Sequence, residues 1–140
     1  MKVFLPWLLI TVFVLLAIWH FRMALLPTQG ASGAVPSVDG KPLFVPSVAS
    51  TVAVGVVLLV FAGLVAATAD LVQVGLSTSV LSWISYALAL GLLARALGEF
   101  KYVGLFKRVR GSRFAELDTW VYSPLCLLLA IGVALVACQK

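Results

Sequence analysis

Six side chains in this sequence have the chemistry to hold or transform a small molecule: His20, Arg95, Glu99, Tyr102, Asp118 and Tyr122. Glu99 and Asp118 could serve as acid or base, with His20 or a tyrosine assisting. Arg95 could neutralise an anion. Arg95 and Glu99 are four residues apart, so a helix would place them on one face and let them pair. Asp118 and Tyr122 share that spacing, and Asp118 is suited to capping a helix that begins at Thr119. Two readings stand side by side. In one, these groups are structural: an ion pair at a helix end and a cap. In the other they line a ligand pocket, with His20 facing them.

Between Glu99 and Asp118 lies a basic run, Lys101, Lys107, Arg108, Arg110 and Arg113, interleaved with Phe100, Val103, Leu105, Phe106, Val109 and Phe114. This alternation suits an interfacial helix whose aromatic rings enter the headgroup layer while its cations meet anionic lipid phosphates. The same charges could act solely as an orientation signal. Tyr102-Val103-Gly104 is no phosphate loop, because one glycine without a following Lys-Ser/Thr lacks the cradle. Cys126 and Cys138 fall in one apolar run. Twelve residues of helix separate them by about 18 Å, too far for a disulfide. With His20 the only histidine and no Cys/His spacing of the required kind, a metal site is not expected. No pattern names a cofactor.

The elements that must position these groups are apolar to an unusual degree. The chain is 63% hydrophobic and 11% charged, with a mean hydropathy of +1.16. Soluble proteins carry roughly 25% charged residues, so lipid is the expected solvent. A bilayer-spanning helix takes about 20 apolar residues. Four runs meet that length, at about 3–21, 48–71, 79–97 and 119–138. The sequence therefore predicts an all-α integral membrane four-helix bundle, a single domain over residues 1–140. The first run exceeds a secretory signal core of roughly 7–15 residues, so a retained helix is expected.

Pro27, Gly30, Gly33, Pro36, Gly40, Pro42 and Pro46 forbid a long helix between the first two runs. A structured loop is expected there, with a turn at Asp39-Gly40 and with Leu43, Phe44 and Val45 folded back onto the bundle or the interface. Gly55 and Gly63 could let neighbouring helices approach closely. Asp70, near a helix end, reads as interfacial. The short uncharged linker that follows makes the second and third helices a hairpin.

Four spans put the first and third connections on one side of the membrane. That side holds Arg22, Lys41, Arg95, Lys101, Lys107, Arg108, Arg110 and Arg113, against Lys2 and Lys140 on the other. The bias predicts a cytoplasmic location for the two long connections and places both termini outside the cytoplasm. The positive charges flank hydrophobic runs, so the net charge of +5 points to anionic lipid headgroups and not to nucleic acid. Self-association is left open.

The run GEFKYVGLFKRVRGSRFAELDTWVYSPLCLLL, Gly98 to Leu129, resembles the signature of the bacterial membrane family known as domain of unknown function 3995 (DUF3995). GKPLFVPS, Gly40 to Ser47, and Trp19-His20 are also similar to it. Where relatives tend to follow the histidine with a Tyr-Trp pair, this chain has Phe21-Arg22. The resemblance implies a small four-span protein of the bacterial cytoplasmic membrane and brings no reaction with it. The residues themselves favour a binding or accessory protein with a cytoplasmic-side pocket for an anionic or amphipathic, lipid-like molecule. A small membrane enzyme using acid/base chemistry on a lipophilic substrate is the first alternative, and a transporter or channel protomer the second.

Overall fold

A computed structural model describes residues 3–26, 34–38 and 41–140. Four long helices account for most of them: α1 Phe4–Leu25, α2 Val48–Thr68, α3 Thr78–Leu97 and α4 Arg113–Cys138. Each is long and apolar enough to cross a membrane, the expected four-helix architecture. Serines start three of them. The hydroxyls of Ser47, Ser77 and Ser112 accept from the backbone N–H three residues on, at 3.0, 3.4 and 3.1 Å, which satisfies one orphan donor per helix.

The helix bounds differ from the sequence expectation where a local signal was outweighed. α1 continues past Phe21 to Leu25, because no breaker intervenes before Pro27 and Arg22 suits the negative end of the helix dipole. α2 stops at Thr68 rather than 71, and Asp70 follows in the left-handed region with φ 57°. α4 starts at Arg113 rather than Thr119, with Ser112 as its cap. Asp118 is therefore not an N-cap. It lies a full turn inside the helix, where the ladder widens into a π-turn over Asp118–Tyr122 before α-helix resumes at Ser123–Cys138.

The first connection carries a minimal hairpin, with β1 Ser37–Val38 antiparallel to β2 Lys41–Pro42. Leu43 N–H extends it by donating to Pro36 C=O at 2.9 Å. The Asp39-Gly40 turn expected between the strands lies outside the described residues. Leu43, Phe44 and Val45 are exposed rather than packed on the bundle.

The helices pair as α1 on α2 and α3 on α4, and α2 touches α3 more sparingly. One core joins all four: Leu9 and Phe13, Ala62 and Val65, Leu88 and Ala89, then Leu129, Val133 and Val136. The Phe13 and Phe61 rings meet edge to face with centroids 5.9 Å apart. Two glycines set the close approaches. A Cβ on Gly132 would sit 2.7 Å from Leu9 Cδ2, and one on Gly55 would sit 2.6 Å from Phe21 Cε1. Gly63 plays no such part, since a Cβ there would meet no described atom within 4 Å. Thr68 and Ser85, both buried, share a hydrogen bond of 2.9 Å that ties the C-terminal end of α2 to α3.

Candidate functional site

At the end of the bundle where α3 stops and α4 starts lies Asp118, whose side chain is fully buried. Its carboxylate gathers donors from three segments. Arg95 Nη2 donates to Oδ1 at 2.9 Å, and the Ser123 hydroxyl reaches the same oxygen at 3.3 Å. Gly104 N–H donates to Oδ2 at 2.6 Å and Lys107 Nζ at 3.1 Å. A buried charge is tolerated when it is both paired and hydrogen-bonded, and here four donors and two cations meet one carboxylate.

Lys107 is satisfied with equal economy. Its ammonium has three donors, and these meet Asp118 Oδ2, Gly104 C=O at 3.0 Å and Thr119 Oγ1 at 2.6 Å. The Thr119 hydroxyl in turn donates a hydrogen bond to Ala115 C=O at 2.9 Å. The side chain of Lys107 is only 1% exposed. This corrects its assignment to lipid headgroups: Lys107 points inward, where all three of its donors are met by Asp118, Gly104 and Thr119.

The π-turn explains how Ser123 joins. Five residues apart on a regular α-helix means about 140° of rotation, on different faces. Ser123 N–H bonds Asp118 C=O across the π-turn, and the extra residue swings Ser123 back over Asp118. Such turns are frequent at functional sites.

Two glycines let the loop close over the cluster. Gly98 (φ 79°) ends α3 and Gly104 (φ 98°) doubles back against it. A Cβ on Gly98 would lie 1.8 Å from Val103 O, and one on Gly104 would lie 2.2 Å from Leu97 O. No other residue fits either position. Leu105 N–H then bonds Ala96 C=O at 3.0 Å, and Arg108 and Val109 N–H bond the carbonyls of Phe100 and Lys101 at 3.2 and 2.9 Å. The expected interfacial helix is thus replaced by a doubled-back loop, since Gly98, Phe100, Gly104 and Gly111 all take positive φ.

Of the six residues singled out from sequence, the structure pairs Arg95 directly with Asp118. Glu99 lies beyond the end of α3, exposed, where its carboxylate accepts from Tyr102 N–H at 3.2 Å. Arg95 pairs with Asp118 instead. Tyr102 lies under Lys101, whose Nζ is 4.9 Å from the ring centroid. Tyr122 packs its ring 6.0 Å from that of Phe114. His20 sets Nδ1 2.7 Å from Leu16 C=O on its own helix. Sequence reasoning missed Gly104, Lys107, Thr119 and Ser123 as members of the cluster. The segment from Gly104 to Ser112 is a loop and not a helix, so helical spacing gave no signal for Gly104 or Lys107.

Beside the cluster, a groove of about 760 Å³ runs between α2 and α3. Val60, Phe61 and Leu64 form one wall, Leu88 and Gly91 the other, and Arg95 closes one end. Arg95 is the one charged residue among the described residues that line it. From Leu81 to Arg95 the groove follows α3 for about 21 Å at 1.5 Å per residue, most of the way across a hydrocarbon core of about 30 Å. Arg95 has capacity to spare: its Nη1 is buried without a hydrogen-bond partner among the described residues. Among those residues no group of three or more His, Cys, Asp or Glu could hold a metal.

Four apolar helices of membrane-spanning length around one core are compatible with a multi-pass membrane protein. The chain belongs to the family described as protein of unknown function (DUF3995), whose model matches residues 13–133 and so takes in every residue of the Asp118 cluster. No curated protein and no solved structure matches the chain.

Proposed function

We propose that this protein binds a single-tailed anionic amphiphile, with the tail in the α2–α3 groove and the acidic head on Arg95. One observation carries the reading: an apolar groove ends at a single guanidinium, on a side chain that remains 38% exposed. An anionic oxygen that reaches this guanidinium gains a charge-assisted hydrogen bond. Asp118 anchors the opposite side of the guanidinium through Nη2, so Arg95 is held in place before any ligand arrives. In this reading Asp118 is a positioning group. Its two oxygens are shared among four donors, which leaves little capacity for proton transfer and supports binding over acid/base catalysis.

The site belongs to the cytoplasmic side. Even with Lys107 turned inward, seven of the nine remaining basic residues lie in the first and third connections or in the helix ends beside them, and that asymmetry supports an orientation with both termini on the far side. A bacterial cytoplasmic membrane is the setting this orientation fits.

Gly63 and Gly91 allow a direct test. Both line the groove, and a Cβ on either meets no described atom within 4 Å. Gly63→Leu and Gly91→Leu therefore fill the groove and leave the helix contacts intact. Native mass spectrometry of the purified protein with palmitate and its neutral methyl ester is expected to show at least about tenfold preference for the acid, the worth of one charge-assisted hydrogen bond. Both leucine variants should lose palmitate. Undiminished palmitate binding by the two variants, or equal binding of acid and ester, would sink the reading.

A further inference from the structure

The third connection presents a second surface that the groove does not use. Phe100 and Phe106 are 55% and 61% exposed, and Lys101, Arg108, Arg110 and Arg113 are exposed around them. Phe100 is held at φ 65°, a conformation that a bulky residue adopts only when its surroundings impose it. Those surroundings are the hydrogen bonds from Arg108 N–H to Phe100 C=O and from Val109 N–H to Lys101 C=O. They lock two outward-facing rings among four cations, with Glu99 and Glu116 as the exposed acids nearby in sequence. The buried Asp118–Lys107 pair fixes the base of the same loop.

In water two exposed rings are a liability. At the edge of a bilayer the same rings enter the headgroup layer, where aromatic side chains concentrate, and neighbouring cations meet phosphates. The loop follows directly from the membrane-length α3 and precedes α4, so its height is that of the interface. We infer that residues 100–113 form a preformed docking surface for anionic phospholipid headgroups, with Phe100 and Phe106 as wedges and Lys101, Arg108, Arg110 and Arg113 as phosphate contacts. Lys107 is excluded because Asp118 retains it. The inference is independent of the groove, with which it shares no residue.

Native mass spectrometry of the full chain released from mixed micelles of phosphatidylglycerol and phosphatidylcholine tests it. The wild type should retain phosphatidylglycerol preferentially. Each exposed cation replaced by glutamine should cut that preference about fivefold, so Arg110→Gln gives one step and Lys101→Gln/Arg108→Gln/Arg110→Gln removes most of it. Gly91→Leu, which fills the groove, should retain the full preference. Wild-type preference in the triple variant would overturn the inference. So would loss of the preference in Gly91→Leu, which would assign the retained lipid to the groove.

Discussion

Among the described residues two aspartates pair with lysines, at opposite ends of the bundle, and they differ in almost everything else. Asp118, where α3 stops and α4 starts, is sealed from solvent and shares its oxygens among Arg95, Gly104, Lys107 and Ser123. Asp70, between α2 and α3, is 59% exposed and pairs with Lys140. The pairings look alike, yet their energetic roles differ. At Asp70 water competes for both partners and the pair is worth little. At Asp118 each charge is tolerated only because the others are present, so removing one leaves the rest buried and uncompensated.

The largest break in that contrast is Asp118→Ala. It leaves the Lys107 ammonium buried without its counter-ion and strips Arg95 of its anchor, and the expected loss is about 3–5 kcal/mol, read as a lowered midpoint of thermal unfolding in detergent. A double-mutant cycle sharpens the point. Asp118→Asn combined with Lys107→Met removes both charges, and it should be less destabilising than the sum of the single changes by about 1–3 kcal/mol. Strict additivity there would mean that the two groups do not depend on each other.

Glycines extend the comparison. Gly104, in the third connection, and Gly75, between α2 and α3, both have positive φ. A Cβ on Gly104 meets the Leu97 carbonyl, whereas one on Gly75 meets no described atom within 4 Å. Gly104→Ala should cost about 2 kcal/mol or more, from steric conflict added to the unfavourable backbone. Gly75→Ala should cost about 1–2 kcal/mol, from the backbone alone. Equal midpoints for the two variants would show that the loop does not need its close return to α3.

Smaller still, Gly63→Leu and Gly91→Leu should hold or raise stability by up to about 1 kcal/mol through helix propensity, even as they abolish palmitate binding. Smallest is Lys140→Ala, within about 1 kcal/mol of wild type in the same unfolding measurement.

Much of this was legible in the sequence. Hydropathy located four spans because each apolar run is about as long as a bilayer is thick, and the basic residues gathered in two connections marked one end as distinct. Arg95 and Asp118 stood out as charges beside apolar runs. Their partnership did not, since Glu99 offered Arg95 a nearer partner at helical spacing. That pair fails because Gly98 ends α3 before Glu99 can share its face. Lys107 read as one of several surface cations, with nothing in its neighbours to say that it turns inward.

The amino-acid sequence by itself determined the number of apolar helices long enough to span a membrane and the gathering of basic residues beside two connections, because these follow from composition and from run lengths that do not depend on what touches what. Only the tertiary structure decided which charges are buried. That choice rests on Gly98 and Gly104 folding the loop back onto α3, and on a π-turn carrying Ser123 round to Asp118, and neither is expressed in any short-range spacing. The groove has the same origin. It exists because α2 and α3 meet sparingly while each packs closely on another helix, a property of helix placement, not of either helix alone.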